Sequence, residues 1–581
     1  MTTVDLVIRG GTVHDGNGNA PFQADVAIDG GVIVEIGRVA ARGREEIDAR
    51  GLMVTPGWVD IHTHYDGQMT WDSRITPSST LGATTVVAGN CGVGFAPARP
   101  TDHDTLIRLM EGVEDIPGAA LHEGLGWQWE SFPEYMDAIE RLPHDIDVAV
   151  QVPHGALRVY VMGERGANRA PATAEEIAQM RTLTREAIAA GALGFSTTRT
   201  MVHRTADGDL TPTVRAAREE MIGIARGLKD AGTGVLQVAS DFADIDEEFD
   251  LMCELTRESG RMLSFSLVQA DRAPQQWREL LSRLGAAVAR GVDIKAQVAG
   301  RPVGLMLGLQ GSAHPFISRP AYREIADKPL AERVAIMRDP AFRARLIAEK
   351  PEKGHPFINS LAGAYHKIFE LGTPPDYEPD PKDSFAARAE RLGVDPNELV
   401  YDAMLQDEGR AFLYFPMHNY TEGDLENVRA MLEHPDTLYG LSDGGAHVGA
   451  ICDVSLPTTM LTHWCRDRSR GPKLDLARVI RAQTRDTAEA VGLLDRGVLA
   501  PGYLADLNVI DFERLQLRAP YMVYDLPTGA RRLMQHADGY VATIKRGRII
   551  YRDGEPTGAL PGRLVRGHQP APAARPQARA A

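Results

Sequence analysis

The chain has 581 residues, 43% of them hydrophobic and 24% charged, a composition typical of a globular protein with more than one structural unit. It carries 63 lysines and arginines against 79 aspartates and glutamates, and the resulting net charge of −16 argues against a nucleic-acid or anionic-membrane surface. Four cysteines are too few for a disulfide framework; with neither a signal sequence nor a bilayer-length apolar run, we expect a cytoplasmic protein.

Both ends of the chain predict β-structure. Near the start of the chain, short runs rich in valine and isoleucine alternate with glycine-containing turns, and the same sequence pattern recurs near the end. The expected strands span residues 4–9, 24–29, 32–37, 505–510, 539–544 and 548–551. We therefore expect one small β-sandwich domain assembled from residues 1–55 and 497–560.

Between these ends, strands alternate with helices, which is the pattern of a parallel barrel. Helices are predicted over 174–190, 214–231 and 276–290. The eight expected strands span residues 54–62, 84–89, 147–152, 192–197, 235–240, 263–268, 292–298 and 438–442. The predicted fold class is α/β, with a (β/α)8 TIM-like barrel over residues 56–496 joined to the sandwich.

Two segments interrupt this scheme. Residues from about 300 to 437 form a long insertion, with a glycine-rich apolar stretch at 303–312, a helix at 330–349 and a strand at 411–415. Insertions of this length in a compact fold are usually lids or binding loops. Residues 562–581 are rich in proline, alanine and arginine, and we expect them to form a disordered tail.

His62 and His64 follow the first predicted barrel strand. Side chains two residues apart in an extended strand point to the same side, so these two imidazoles can meet at one point. Such a pair suits a divalent metal. The pair is weak evidence alone, and its position at the end of a buried strand strengthens it.

Other reactive residues follow other strands. In a barrel the reactive groups lie at the carboxyl ends of the strands, which here adds Cys91 after the second strand and Asp443 after the eighth. Imidazoles, a thiolate and a carboxylate are good ligands for Zn²⁺ or a similar divalent cation. Such a cation activates water near neutral pH, and Asp443 is then the expected general acid and base.

Further candidates for substrate binding are His154 after the third strand, Arg199 after the fourth, Arg301 after the seventh, and His418 in the insertion. The arginines could pair with a substrate carboxylate, although solvated surface arginines are the plainer alternative. Structural alternatives exist for the other candidates as well. A cysteine in a glycine-rich turn often only packs, and an aspartate before Gly-Gly often only caps a turn.

Several motifs together resemble the N-acyl-D-amino-acid deacylase (D-aminoacylase) branch of the amidohydrolase superfamily. The resemblance extends from about residue 4 to residue 560 and rests on segments 56–66, 89–95, 153–158, 442–444 and 496–507. It implies a barrel with an appended β-sandwich and metal-dependent hydrolysis of a C–N amide bond. It also implies that His62, His64 and Asp443 bind one metal, that Cys91 binds a neighbouring one, and that Asp443 is the general acid and base.

The chain departs from this family at two strands. The family normally supplies a metal-binding histidine from strand five and another from strand six, whereas residues 235–242 and 263–269 contain none. Only Asp241 could substitute there as a hard ligand. The deacylases' Tyr-Pro-Tyr after strand seven is also absent, since residues 297–301 read Gln-Val-Ala-Gly-Arg. These departures predict one metal per chain and a pocket floor unlike that of the deacylases.

Three functions are compatible with the sequence. The leading hypothesis is a metal-dependent amidohydrolase acting on a small or medium amide that resembles an N-acyl amino acid. The second is a barrel hydrolase of another bond, by cyclic-amide opening, deamination or C–C cleavage, and the third is a non-catalytic binding barrel. We expect a small-molecule substrate, no nucleic-acid or membrane partner, and a possible homo-oligomer.

Overall fold

The computed structural model describes residues 3–352 and 356–573. In this part of the chain, eight strands form one parallel sheet in the order of the sequence. They span Trp58–Asp60, Ala83–Ala88, Asp147–Pro153, Gly194–Thr198, Val235–Ala239, Leu263–Leu267, Ile294–Val298 and Thr437–Tyr439. All eight predicted strands are present, and we number them barrel strands 1 to 8. The predicted barrel is confirmed.

The barrel closes between strands 1 and 8, just beyond the ends of both. The His64 backbone N–H donates to the carbonyl of Gly444 at 2.7 Å, and the Asp443 N–H donates to the carbonyl of His62 at 3.1 Å. A parallel bridge joins Thr63 to Gly444. This seam places residues 62–64 directly beside residues 443–444, at the carboxyl rim of the barrel.

The strands are buried on both faces because helices cover the outside of the sheet, so their sequences are almost continuously apolar. Local signals start and end these helices. Thr173 and Glu176 form a capping box at the start of Ala174–Ala190, and Gly191 ends that helix in the left-handed conformation. The helices between barrel strands are His103–Glu114, Gly118–Gly124, Phe132–Arg141, His154–Met162, Glu164–Ala167, Ala174–Ala190, Arg218–Ala231, Ile245–Ser259 and Gln276–Ala289.

A second sheet contains strands from both ends of the chain, as the composite β-domain requires. Its strands are Thr3–Val13, Phe22–Asp29, Val32–Gly37, Arg42–Asp48, Met53–Pro56, Leu507–Ile510, Tyr540–Lys545, Arg548–Arg552 and Glu555–Pro556. The strand Met53–Pro56 pairs with Leu507–Ile510 and so joins the two ends. The division of the chain into domains at 55, 497 and 560 stays a prediction.

Part of the C-terminal segment leaves this sheet and reaches the rim of the barrel. The strands Tyr521–Leu526 and Ala530–Met534 pair with each other in a hairpin. The Leu533 N–H donates to the carbonyl of Val448 at 2.7 Å, and Val448 lies in the loop that follows barrel strand 8. A smaller pair, Gln516–Leu517 with Ala537–Asp538, lies at the base of the hairpin.

The insertion after barrel strand 7 folds around a small sheet with its own apolar cluster. The predicted helix over 330–349 is wrong as a single helix, because Pro340 lacks an N–H and begins a new helix. The strands here are Gly304–Leu307, Phe369–Glu370 and Leu413–Pro416. The helices are Pro320–Arg323, Leu330–Met337, Pro340–Ala348, Pro356–Leu361, Phe385–Leu392, Pro396–Met404, Gln406–Gly409 and Glu426–Glu433.

After barrel strand 8 the chain forms the helices Leu456–Thr459, Leu476–Ala482 and Arg485–Ala490 and a π-helix, Met460–Asp467. The prediction of disorder over 562–581 is wrong for residues 562–573. Leu564 and Val565 are buried, and Leu564 forms a parallel bridge with Val148 of barrel strand 3. These apolar side chains anchor the segment against the barrel. Residues 574–581 lie outside the described residues.

Candidate metal centre

The contact between strands 1 and 8 brings the central residues of the site close together. His62 Nε2 lies 3.4 Å from Asp443 Oδ1, and His64 Nε2 lies 3.7 Å from the same oxygen. Both imidazoles are almost fully buried, whereas 16% of the Asp443 side chain is exposed. The carboxylate therefore faces the two imidazoles and the open end of the barrel at once.

Cys91 completes this group from the loop after strand 2. Its Sγ lies 3.4 Å from His62 Nε2, and its backbone N–H donates to Gln237 Oε1 of strand 5 at 2.9 Å. Burial raises the pKa of the Cys91 thiol to about 11. A thiolate at this position therefore requires a nearby cation, and a bound metal ion is the usual source.

The donor set fits a divalent metal. One ligand atom each from His62, His64 and Cys91 all lie within 4.8 Å of one another, and among the described residues no other group of three or more His, Cys, Asp or Glu side chains does so. Imidazole nitrogen and thiolate sulfur are typical ligands of zinc. Cys91 therefore belongs to the same group of possible ligands as His62 and His64, and not to a second metal site beside them.

Two residues that the sequence did not reveal lie beside the imidazoles. Gln297 Oε1 accepts from His62 Nδ1 at 2.7 Å, while its amide nitrogen donates to Ser264 Oγ at 2.9 Å. Glu114 Oε1 lies 3.2 Å from His64 Nδ1. Each imidazole thus has an oxygen beside its Nδ1 and its Nε2 turned towards the centre, an arrangement usual around metal-binding histidines. The only sequence signals were a glutamine in an apolar strand and a glutamate following Val113 on the apolar side of a helix.

The electrostatics of the group depend on burial and on neighbouring charges. Burial lowers the pKa of His62 to about 4. Burial also disfavours a charged His64, but the charge of Glu114 and the contacts with Asp443 and Cys91 together outweigh it and raise the pKa of His64 well above its ordinary value. Burial opposes ionisation of Asp443, yet contact with His64 and the charge of His62 lower its pKa. Asp443 is therefore a carboxylate at neutral pH.

Backbone strain is concentrated at the same rim. Cys91, Asp443 and His447 have φ values of 52°, 49° and 48°, in the left-handed region that favours glycine. Such conformations cost energy and persist where the surrounding structure enforces them, often at functional sites. At this rim they turn the Cys91 thiol and the Asp443 carboxylate towards the histidines.

Two predicted substrate-binding residues are buried against internal partners. His154 is buried, and its ring nitrogens are taken by Thr197 Oγ1 at 2.8 Å and Glu220 Oε1 at 2.9 Å. Arg301 has no exposed side-chain surface and forms an ion pair with Asp453 Oδ1 at 3.0 Å. Burial and these internal partners favour the structural alternative for both residues, and their contact with substrate stays a prediction.

Arg199 and His418 have different surroundings. Both carboxylate oxygens of Glu248 accept from Arg199 Nε, at 2.8 and 2.9 Å, so Arg199 is paired within the protein and its contact with substrate stays a prediction. His418 is half-buried at the end of an insertion strand, and its Nδ1 has no hydrogen-bond partner among the described residues. Burial lowers the pKa of His418 to about 4, so its ring is neutral near pH 7.

Strands 5 and 6 carry neutral groups at the inner face of the barrel. Gln237 of strand 5 holds the Cys91 backbone, and Ser264 of strand 6 accepts from Gln297. Asp241 is the only possible substitute ligand in the segments of strands 5 and 6, but its carboxylate has other partners. It accepts from Thr200 Oγ1 at 2.6 Å and pairs with Arg272 at 3.0 Å. Amides and hydroxyls thus occupy the strands from which the resemblance would supply histidines.

A parallel barrel that gathers two imidazoles, a thiol and a carboxylate at its carboxyl rim defines the class of metal-dependent barrel hydrolases. The model of the Amidohydrolase family matches residues 45–551, and the chain belongs to this family. It is an enzyme of the type that hydrolyses carbon–nitrogen bonds other than peptide bonds, and its group of histidine and cysteine ligands suits a divalent metal. The hypothesis of a non-catalytic barrel is thereby set aside.

Named relatives from Alcaligenes xylosoxydans xylosoxydans match almost the whole chain. An N-acyl-D-aspartate deacylase is 30% identical over 569 residues, covering 97% of this chain and 95% of the relative. A D-aminoacylase is 28% identical over 570 residues, covering 97% of each. A solved D-aminoacylase, described as having a binuclear metal centre with one-metal activation and second-metal attenuation, has a TM-score of 0.65 at 24% identity, with coverage of 97% of this chain and 100% of that one.

None of the helices formed by residues 3–352 and 356–573 combines the length and apolar character needed to cross a bilayer.

Proposed function

We propose that the enzyme hydrolyses the amide bond of an N-acyl-D-amino acid with one zinc ion held by His62, His64, Cys91 and Asp443. The observation that carries this proposal is the convergence of these side chains at the rim, with Asp443 within 3.7 Å of both imidazoles. The names of the curated relatives, which include deacylases of N-acyl-D-aspartate and N-acyl-D-glutamate, support this substrate class.

A single zinc ion agrees with the donor groups on the inner face of the barrel. The described residues contain one compact group of His and Cys ligands, and the facing positions on strands 5 and 6 are an amide and a hydroxyl, which are weak zinc ligands. Two nitrogens and one sulfur favour zinc over magnesium or calcium, which prefer oxygen.

The proposed chemistry divides between the metal and Asp443. A divalent cation at such a site lowers the pKa of water and polarises a carbonyl group. Asp443 begins as a carboxylate because its pKa is lowered, so it can accept a proton from the attacking water. It then returns this proton to the leaving nitrogen as the C–N bond breaks. Its partial exposure at the rim lets substrate reach the carboxylate.

Among the predicted substrate-binding residues, His418 is the best candidate for substrate contact. Its unpartnered Nδ1 is a polar atom that a substrate group could satisfy, and its neutral ring can accept or donate one hydrogen bond. The insertion that carries it would then contribute to recognition of the substrate.

An amine-release assay tests the proposed function. Zinc-loaded protein is offered N-acetyl-D-amino acids with apolar, acidic and basic side chains, the matching L-enantiomers, cyclic imides and β-keto acids. We expect turnover of a D-series amide and loss of turnover in His64→Ala, but not in the surface variant His122→Ala. Turnover confined to cyclic imides or β-keto acids would contradict the proposal and favour the second hypothesis.

We also propose that the enzyme is cytoplasmic. All four cysteines are free, which agrees with a reducing cytoplasm. A homo-oligomer stays a prediction, and light scattering of the purified protein measures it.

A further inference from the structure

A buried glutamate beside the site has no role in the proposed chemistry. Glu114 is the last residue of the helix His103–Glu114, which follows barrel strand 2. Only 1% of its side chain is exposed, and neither carboxylate oxygen has a hydrogen-bond partner of good geometry among the described residues. Burying an unpaired carboxylate is costly, and a negative charge at a helix C-terminus is unfavourable as well. Helix stability therefore does not explain this residue.

The neighbours of Glu114 are two histidines of the rim. Its Oε1 lies 3.2 Å from His64 Nδ1, and its Oε2 lies 3.6 Å from His447 Nε2. His64 directs its other nitrogen towards Asp443. His447 lies on the loop after barrel strand 8, and 25% of its side chain is exposed. One carboxylate thus contacts a metal-binding candidate with one oxygen and an accessible imidazole with the other.

Glu114 is not itself a ligand of the same cation. It contacts the Nδ1 side of the His64 ring, whereas Asp443 contacts the Nε2 side. Its effect on the metal must therefore pass through His64.

We propose that Glu114 is a positioning residue that bridges His64 and His447. One oxygen lies 3.2 Å from His64 Nδ1, favours a proton on that nitrogen and so leaves Nε2 as the metal-binding nitrogen. The other lies 3.6 Å from His447 Nε2, and its negative charge holds that ring at the mouth of the site, where it can contact substrate. This inference rests on the proposed function, because it assumes that His64 binds the metal.

Metal titration tests the bridge without relying on turnover. The metal-free protein is titrated with Zn²⁺ against a chelator and with Co²⁺ by absorption, and thermal melting shows that each variant is folded. Removal of such an outer partner typically weakens metal affinity about 10- to 100-fold, and we expect this loss in Glu114→Gln with an altered cobalt spectrum. The matched control is Glu111→Gln, on the same helix, whose carboxylate accepts from the Gly118 N–H; it should leave both unchanged.

A second variant separates the two arms of the bridge. His447→Gln should keep zinc affinity within about threefold of the wild type, since the His64 contact is intact, and lower kcat/KM for the amide substrate. It also provides a test if Glu114→Gln does not fold. Wild-type zinc affinity in folded Glu114→Gln, or unchanged kcat/KM in His447→Gln, would overturn the inference. A wild-type protein that binds no zinc would instead overturn the proposed function.

Discussion

The two ends of the barrel bury charged groups in opposite ways. At the amino end, Asp147 begins strand 3 and is surrounded by cations: Arg496 at 2.8 Å, Lys545 at 2.9 Å and Arg546 at 3.2 Å. At the carboxyl rim, Asp443 faces two imidazoles and has no lysine or arginine partner among the described residues. At the amino end, the buried charges pair with one another and stabilise the fold. At the carboxyl rim, the charge of Asp443 is left available for a ligand.

The amino end also joins the barrel to the terminal sheet. Lys545 bridges Asp147 to Asp506 at 2.6 Å, and all three side chains are buried. Lys545 is a buried cation that faces two carboxylates, and Asp147 is a buried carboxylate that faces several cations. Little charge in this group is therefore left unpaired. We call this group, Asp147, Arg496, Asp506, Lys545 and Arg546, the base network. It requires no ligand to be complete.

The strongest contrast should come from Asp443→Asn. Loss of a general acid and base typically lowers the rate about 10²- to 10⁴-fold, and we expect a fall of that order in kcat. The melting temperature should fall less than in Asp147→Asn, because Asp443 faces imidazoles and no lysine or arginine. Asp104→Asn, at a mostly exposed aspartate, is the control. A decrease of less than tenfold would remove Asp443 from the mechanism.

The converse change is Asp147→Asn in the base network. Breaking a buried ion pair typically costs about 3–5 kcal/mol because the partner charge is left uncompensated, and we expect a loss of this size in the free energy of unfolding. Chemical denaturation measures it. Activity per folded molecule should stay at the wild-type level, since the site lies at the other end of the barrel. Unchanged stability would show that the base network is not a stabilising element.

A smaller effect is expected at Gln297, which supports His62. Gln297→Met keeps the size of the side chain but removes the oxygen that accepts from His62 Nδ1. Zinc affinity should fall, within the range of about 10- to 100-fold typical of outer partners. Ser264→Ala is the control, because it removes a group that contacts Gln297 and not His62. Equal affinities in the two variants would contradict the orienting role.

The smallest effect is the pH dependence of the base network. Although burial alone would raise it, the charges of Lys545 and Arg496 hold the pKa of Asp147 below its ordinary value. A lowered folded-state pKa gives stability that is present above the unfolded pKa of about 3.9 and is lost as pH falls towards the folded pKa. The stability difference between wild type and Asp147→Asn should thus be constant above about pH 5 and shrink below about pH 4. A difference that grows on acidification would contradict this assignment.

The sequence predicted the barrel well because its strands carry a strong local signal. Parallel strands buried on both faces read as apolar runs, and the two-residue period of a strand aligns His62 with His64. The position of Asp443 could be predicted only by assuming that strands 1 and 8 meet and close the barrel. The bridge between Thr63 and Gly444 confirms this closure. A fold prediction was therefore enough to bring these three residues together.

Contacts between distant segments could not be read in the same way. A position after a strand does not determine where a long side chain turns, and Arg301 turns inwards to Asp453. Glu114 reaches His64 from a helix whose packing depends on the whole barrel. The C-terminal residues Leu564 and Val565 are anchored by strand 3, far from them in sequence. Each of these outcomes depends on tertiary packing.

Anomalous diffraction at the zinc edge tests the central claim most directly. Crystals of zinc-loaded protein should show one peak per chain, within bonding distance of His62 Nε2, His64 Nε2 and Cys91 Sγ and beside Asp443. A peak held by other residues, a second peak of equal height beside strands 5 and 6, or no peak at the rim would contradict the account.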